Sequence, residues 1–259
     1  MSATDSLFRL RFAQTDEDIR AAQRLRYRVF VEELGSDGAM VDHDAQLERD
    51  AFDPFYRHLM LIDPTRSDDP LDQCVGVYRL LPDCDVAAVG KFYTEDEYDL
   101  TVLKESGKRL LELGRSCVAA EYRGGTALYR LWSGLAKYIL DEGFDVLFGV
   151  ASFHGTDMAR LAEPLSLLHH RHLAPPDLRV RARAEHFQTM DLVPEETVDR
   201  VAAMRAMPAL IKGYLRLGGT VGEGAFVDHA FNTVDVCLIL ETAMIAPRQR
   251  DLYTKGKVL

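Results

Sequence analysis

The chain is 259 residues long, 47% hydrophobic and 28% charged, which excludes a disordered tail and suffices for one large domain or two small ones with a packed core. Its 41 acidic residues exceed the 31 lysines and arginines, a formal net charge of −10, so the chain as a whole does not attract nucleic acid and any polyanionic partner must meet a local patch. Aliphatic runs such as Val236 to Leu240 fall far short of the roughly 18 apolar residues of a membrane span, and the opening MSATDSLFRLRF has no apolar stretch behind a basic segment, so a cytoplasmic location is expected.

Thr15, Asp16, Glu17 and Asp18 form a helix start of the capping-box type, and the helix is expected to run to about Gly35. At about 100° per residue, Ile19, Ala22, Val29 and Phe30 share one face with Arg26 in its middle, whereas Arg20, Arg24 and Arg28 point away. Either Arg26 is buried against a carboxylate or another anion, since an unpaired charge is costly to desolvate, or its head snorkels to the surface. An acidic loop follows, from Asp42 through Glu48, Asp50 and Asp53. Strands are expected from His58 to Asp63 and, after a turn rich in Asp and Pro, from Cys74 to Leu81. In the second, period-two alternation puts Arg79 with Val75, Val77 and Leu81, a second arginine on an apolar face.

LLELGRSCV, from Leu110 to Val118, reads as a third strand carrying Glu112 and Arg115 on opposite faces unless Gly114 makes a bulge that re-aims them. After Arg123, Gly124 and Gly125 comes an amphipathic helix over Thr126 to Glu142, with Leu128, Leu131, Trp132, Leu135 and Ile139 at helical spacing and Gly143 to end it. Asp145 to Phe153 is the next strand, which makes a βαβ unit with parallel strands. The last hundred or so residues are less regular. They hold His169, His170 and His172, an alternating run of Arg179, Arg181 and Arg183, a helix led by Pro208, glycines from Gly218 to Gly224 that read as a turn, and a final strand around Val234 to Leu240. The cysteines, Cys74, Cys84, Cys117 and Cys237, form no CxxC pair and read as buried thiols.

Free N–H groups at a strand-to-helix turn bind phosphate, so the segment Arg123 to Leu128 is a candidate donor site. Glu112 reads as a catalytic or substrate-contacting carboxylate, as an exposed edge residue, or as a partner of Arg26, Arg79 or Arg115. The spacing of His172 and Asp177 matches an HxxxxD pattern, which opens a hydroxyl-activating acyltransferase as another reading. A metal at the histidines would require converging imidazoles and a further ligand, and no HExxH pattern is present, so no metal is expected. The glycines lack a GxGxxG register, so a dinucleotide is not expected.

The turn at Arg123 resembles the one that holds coenzyme A pyrophosphate in the GNAT acyltransferase superfamily, with Thr126 and Leu128 where that pattern has small residues. The departure implies a donor with one phosphate, phosphopantetheine on an acyl carrier protein, and no bound cofactor. Arg26-Tyr27-Arg28-Val29-Phe30, then Asp50 and Asp53, then Tyr78-Arg79-Leu80-Leu81-Pro82, then Glu112-Leu113-Gly114-Arg115 are similar to the ordered motifs of acyl-homoserine-lactone synthases. Ser166-Leu167-Leu168-His169-His170, the run from Leu210 to Gly218, Asp228 with Phe231 to Cys237, and Pro247-Arg248 before Tyr253 resemble the ornithine N-acyltransferase family and set the chain apart from the signal synthases.

The resemblance, from about Leu7 to Tyr253, implies an α/β fold of GNAT type with a mixed central sheet flanked by helices. It is expected as a single domain over residues 1–259, with a core at about 7–155 and a carboxyl-terminal part at about 156–259. It implies transfer of a 3-hydroxyacyl group from acyl carrier protein to the α-amine of ornithine, or of glutamine or another amino acid. Glu112 and Arg115 become catalytic residues, and Arg26, Phe30, Asp50, Asp53, Arg79, Asp228 and Asp235 substrate-binding ones. Cys117 and Val118, for the oxyanion, join Arg123, Gly124, Gly125 and Thr126 at the acyl donor. Arg179, Arg181 and Arg183 read either as a docking patch for the acidic carrier or as a solvated strand face. The lipid-like product implies transient contact with the inner membrane face. A carrier-binding module without turnover stays open beside these enzymes.

Overall fold

The computed structural model describes residues 8–124, 126–229, 231–246, 248 and 251. In chain order the strands are β1 (Arg9–Phe12), β2 (Arg57–Ile62), β3 (Cys74–Pro82), β4 (Tyr98–Asp99), β5 (Leu110–Val118), β6 (Val146–His154), β7 (Arg181–Ala182), β8 (Phe187–Gln188), β9 (Thr220–Val221), β10 (Ala225–Asp228) and β11 (Thr233–Glu241). The α-helices are α1 (Asp16–Arg26), α2 (Val86–Val89), α3 (Thr101–Lys104), α4 (Thr126–Glu142), α5 (Met158–His172), α6 (Arg200–Ala206) and α7 (Ala209–Arg216). The described chain divides into two compact units, one with the residues up to Leu81 and Leu113–Gly143, the other with Pro82–Glu112 and Phe144–Ala246. Strand β5 belongs to both, as far as Glu112 in the second unit and from Leu113 in the first.

In the first unit β1, β2 and β3 are antiparallel neighbours, and β5 follows β3 in strand order. Every residue of β3 is buried, because this strand is covered on both faces rather than half-solvated. The capping box at Thr15 forms as expected, with the Asp18 amide donating to Thr15 Oγ1 and the Asp18 carboxylate returning to the Thr15 amide. The helix differs from expectation at its far end: α1 stops at Arg26 and Tyr27–Glu33 continues as a π-helix. That widened turn breaks the 100° stepping, so Phe30 is only partly buried and packs at the margin of a core formed by Ala21, Ala22, Leu25, Val29, Met60, Ile62, Cys74, Val77, Cys117 and Ala119. Helix α4 has the bounds predicted but not quite the face. Ala127, Leu131, Leu135 and Ile139 are buried, and Leu128 is 42% exposed because Ala127 takes the inward position of the first turn.

In the second unit β5 runs parallel to β6, Leu110 to Glu112 beside Val146 to Phe148. Strand β6 pairs antiparallel with β11 from Val146↔Glu241 to His154↔Thr233, and β10 then β8 extend that sheet. The sheet is therefore mixed. Leu178, Val180 and Ala182 are buried, so Arg179, Arg181 and Arg183 do alternate outward, although β7 covers only Arg181–Ala182. Among the described residues no helix is long and apolar enough to cross a membrane.

Candidate active site

The three arginines singled out by pattern converge in the first unit on three carboxylates. Arg26 is fully buried and gives Nε to Glu48 Oε2, Nη1 to Asp53 Oδ1 at 2.6 Å, and Nη2 to Asp53 Oδ2 at 2.9 Å and the Glu48 carbonyl at 2.8 Å. Arg79, also buried, donates from Nη1 to Asp50 Oδ1 at 2.6 Å and Asp53 Oδ1 at 2.8 Å, and its guanidinium lies 4.6 Å from the centroid of the Tyr56 ring. Arg115 closes the network at longer range, Nε to Glu48 Oε1 at 3.2 Å and Nη2 to Asp50 Oδ2 at 3.3 Å, and its side chain is 17% exposed. Formal charge balances, three guanidiniums against Glu48, Asp50 and Asp53, which is the condition for burying ions at tolerable cost.

Burial alone would raise the carboxyl pKa values of Asp50 and Asp53. The arginine charges and hydrogen bonds outweigh it, Arg79 and Arg115 at Asp50 and Arg26 then Arg79 at Asp53, and both groups are held below the ordinary carboxylate range. Burial would lower the Arg26 pKa, and the charges of Glu48 and Asp53 instead raise it. Three further residues complete the network. Gln23 Nε2 donates to Asp53 Oδ2 at 2.9 Å, His58 Nε2 lies 3.0 Å from the Asp53 carbonyl, and Tyr56 stacks on Arg79. Burial pulls the His58 pKa down to about 4, so its ring is neutral and donates Nε2–H to that carbonyl.

The expected bulge at Gly114 takes another form. Arg115 itself has φ +48°, whereas Gly114 has no positive φ and a Cβ there would meet nothing within 4 Å. A left-handed arginine in a strand frees its side chain from strict alternation and aims it at Glu48 and Asp50.

In the second unit Glu112 is 1% exposed, and its two oxygens accept backbone N–H groups, Oε1 from Thr94 at 2.6 Å and Oε2 from Tyr93 at 3.1 Å. These bonds fix the carboxylate and use two of its roughly four lone-pair directions. The Tyr93–Thr94 turn is seated by Phe92, whose ring meets Phe148 edge-on at 5.0 Å. Asp235 is buried and accepts the Thr233 hydroxyl at 3.2 Å, while Asp228 caps the β10–β11 turn by accepting the Phe231 amide at 3.0 Å.

Of the expected donor residues, Cys117 and Val118 are buried, and burial raises the Cys117 thiol pKa, which makes it a poor nucleophile. Arg123 holds the Val118 carbonyl through Nε at 2.9 Å and pairs with Glu33 through Nη2 at 2.7 Å. Gly124 takes φ +76°, the turn conformation its type permits, and Thr126 opens α4. Gly125, Pro247 and Tyr253 lie outside the described residues. The basic run is locally engaged: Arg179 bonds the Ala174 carbonyl, Arg181 pairs with Glu223, and Arg183 bonds the Glu95 carbonyl. His172 is shifted down by burial alone, with no contribution from Asp177, which weakens the HxxxxD reading. Cys74 and Cys237 are buried as expected, and Cys84 is exposed.

Sequence reasoning passed over Glu48 as one acid of a loop and missed Gln23, Tyr56 and His58. No sequence signal singled out Glu48, since the two arginines on apolar faces, Arg26 and Arg79, are already matched in number by Asp50 and Asp53.

Comparison with known proteins places this architecture. Residues 25–133 match the acetyltransferase (GNAT) domain family. The chain is 56% identical over 255 residues to the L-ornithine N(alpha)-acyltransferase of Rhodobacter capsulatus, covering 98% of both chains. It is 43% identical to the enzyme of the same name from Brucella abortus, over 94% of this chain and 88% of that one. A solved CoA-dependent acyl-homoserine lactone synthase in complex with MTA shares the fold at 15% identity and a TM-score of 0.51, over 94% of this chain and 83% of its own. That superposition takes in most of this chain, so the fold of the carboxyl half is shared with a signal synthase although its motifs resemble another family. This chain is an acyltransferase with a GNAT domain and belongs to the L-ornithine N(alpha)-acyltransferase family.

Proposed function

We propose that the protein moves a 3-hydroxyacyl group from the phosphopantetheine thioester of an acyl carrier protein to the α-amine of L-ornithine, giving the lyso form of an ornithine lipid. The observation that carries this reading is the 56% identity, over 98% of both chains, to an enzyme named for that acceptor. An α-ammonium, with an ordinary pKa of about 8, must shed a proton before it can attack. Glu112, held in place by the Tyr93 and Thr94 amides, takes that proton, directly or through a water. The amine then adds to the thioester carbonyl carbon, backbone N–H groups near Cys117 and Val118 meet the oxyanion, and collapse breaks the C–S bond as one proton of the attacking nitrogen passes to the leaving sulfur, which releases the thiol and leaves the amide.

Arg115 takes the acceptor carboxylate, because it is the most exposed of the three arginines and its ion pairs are the longest in the cluster. Arg26, Arg79, Asp50 and Asp53 hold it in place, and Phe30, packed against the first unit's hydrophobic core, joins them in binding substrate. Asp228 and Asp235 receive the side-chain ammonium. Arg123, Gly124, Gly125 and Thr126 meet the phosphate of the donor arm. The product partitions into lipid, so the protein works in the cytoplasm in reversible contact with the inner membrane face.

The test is to incubate purified protein with 3-hydroxyacyl carrier protein and, separately, L-ornithine, L-glutamine, L-lysine and glycine, following thiol release and product mass. The expected result is ornithine-dependent release. Preference for glutamine would move the acceptor while keeping N-acyl transfer, and no release with any amine would leave a carrier-binding module.

A further inference from the structure

Away from the acyl-transfer residues, the last turn of α5 brings His169 and His170 against Asp191, in the loop after β8. His169 Nε2 lies 4.0 Å from Asp191 Oδ2 and His170 Nε2 lies 3.5 Å from Asp191 Oδ1. The two rings meet edge to face at 5.1 Å, and the Val193 carbonyl is 2.9 Å from His170 Nε2. One ligand atom from each of the three side chains falls within 4.8 Å of the others. A tetrahedral ion with bonds of about 2.0–2.1 Å spaces its ligands roughly 3.3–3.4 Å apart, so the present separations need shifts of about 0.1 to 1.5 Å.

The loop that supplies Asp191 is already fixed. Ser166, fully buried on α5, donates to the Met190 carbonyl at 3.1 Å and accepts the Leu192 and Val193 amides at 3.0 and 2.9 Å. Ordering of the donor set is therefore largely complete before any ion arrives, which favours binding. The carbonyl end of a helix also attracts a cation, and both histidines stand in the final turn of the fifteen-residue α5. His172, in the same turn, is not part of the convergent set.

We propose that His169, His170 and Asp191 bind a divalent transition-metal cation, with Zn²⁺ the best match to two imidazoles and a carboxylate. His169 and His170 coordinate through Nε2 as neutral rings carrying their proton on Nδ1. For His170 this replaces the Nε2–H bond to the Val193 carbonyl, and that carbonyl or a water completes four ligands. The ion ties the α5 end to the loop and takes no part in acyl transfer, so its test is independent of the proposed reaction.

The full-length protein is stripped with chelator, dialysed and titrated with ZnCl₂ at pH 7.5 by calorimetry, with thermal melting in parallel. The expected result is one saturable ion per chain and a raised melting temperature. His169→Gln and Asp191→Asn should each weaken binding by about tenfold or more, and His172→Gln should leave it unchanged. The Asp191 side chain is 58% exposed, so Asp191→Asn leaves the fold intact and keeps the comparison decisive. Absence of saturable uptake, or equal uptake by the His169→Gln/Asp191→Asn double variant, would overturn the site.

Discussion

Glu112→Gln separates two jobs that one carboxylate performs. The substitution is nearly isosteric, but the amide has one carbonyl oxygen where the carboxylate has two acceptors, and both are in use, Oε1 by the Thr94 amide at 2.6 Å and Oε2 by the Tyr93 amide at 3.1 Å. The glutamine therefore turns its NH₂ toward one of two N–H donors, and the longer Tyr93 bond is the one given up. Leaving a buried amide unsatisfied costs about 1–3 kcal/mol, which at roughly 2–4 °C per kcal/mol for a chain of this size lowers the melting temperature by about 2–12 °C. Loss of the general base acts separately and lowers turnover by about 10²- to 10⁴-fold. The assay is thiol release from 3-hydroxyacyl carrier protein with saturating L-ornithine, well below the melting point of the variant, beside a thermal melt of each protein. Turnover within a few-fold of wild type, together with the lowered melting temperature, would refute the base assignment and leave Glu112 as the clamp of the Tyr93–Thr94 turn.

Arg26→Met should destabilise the protein by about 3–5 kcal/mol in urea titration, because Glu48 and Asp53 lose their buried cation; an unchanged midpoint would contradict the network. Stability should fall with acid in two windows. His58, at about 4 when folded and 6.5 when free, binds a proton first in the unfolded chain, so stability declines from about pH 6.5 to 4 and His58→Gln should flatten that stretch. Asp18, lowered from 3.8 to about 2, chiefly by its hydrogen bond from Arg11, adds stability that is full above its unfolded value and lost between about pH 4 and 2, a loss Asp18→Asn should remove. The carrier-protein thioester should be a far better donor than the matching acyl coenzyme A, since Thr126 and Leu128 replace small residues of the donor turn, and equal kcat/KM for both would reject this. Asp235→Asn should raise the KM for ornithine far more than that for glutamine, whose side chain is neutral, and a proportional rise in both would assign Asp235 to the β10–β11 hairpin alone.

The elements that were legible had local signals. The Thr15 box, the Gly143 stop and the apolar runs of β3, β5 and β11 depend on neighbours within a few residues, and their observed bounds lie within a residue or two of those expected. Four α-helices escaped notice, α2 and α3 of four residues each and the longer α5 and α6. Helix α5 carries Pro164 in its interior, a residue that argues against helix because it lacks an N–H, and α6 has seven residues with little apolar period beyond its Asp199 cap. The π-helix after Arg26 was invisible because its sequence is as good an α-helix as any, and tertiary packing decides the wider turn.

The candidate site was legible to the extent that charge on an apolar face is an anomaly demanding a partner. Arg26 and Arg79 announced themselves this way, and the acidic loop that lies between them in sequence supplies their partners. Arg115 could not be read so, since alternation along β5 with Glu112 gives no reason for it to face Glu48 and Asp50. Its left-handed φ of +48° supplies that reason. Glycine is the residue that adopts such a φ without cost, and Gly114 stands immediately before it, yet the chain puts the strained conformation on the arginine. A non-glycine residue there costs of order 1–3 kcal/mol, and the ion pairs to Glu48 and Asp50 at 3.2 and 3.3 Å are among the contacts that hold the arginine in it. In the reaction proposed above, that conformation sets the guanidinium where the acceptor carboxylate meets it. A carboxylate offered to Arg115 by the acceptor would gain from a guanidinium already desolvated on one side and held by Glu48 and Asp50 on the other.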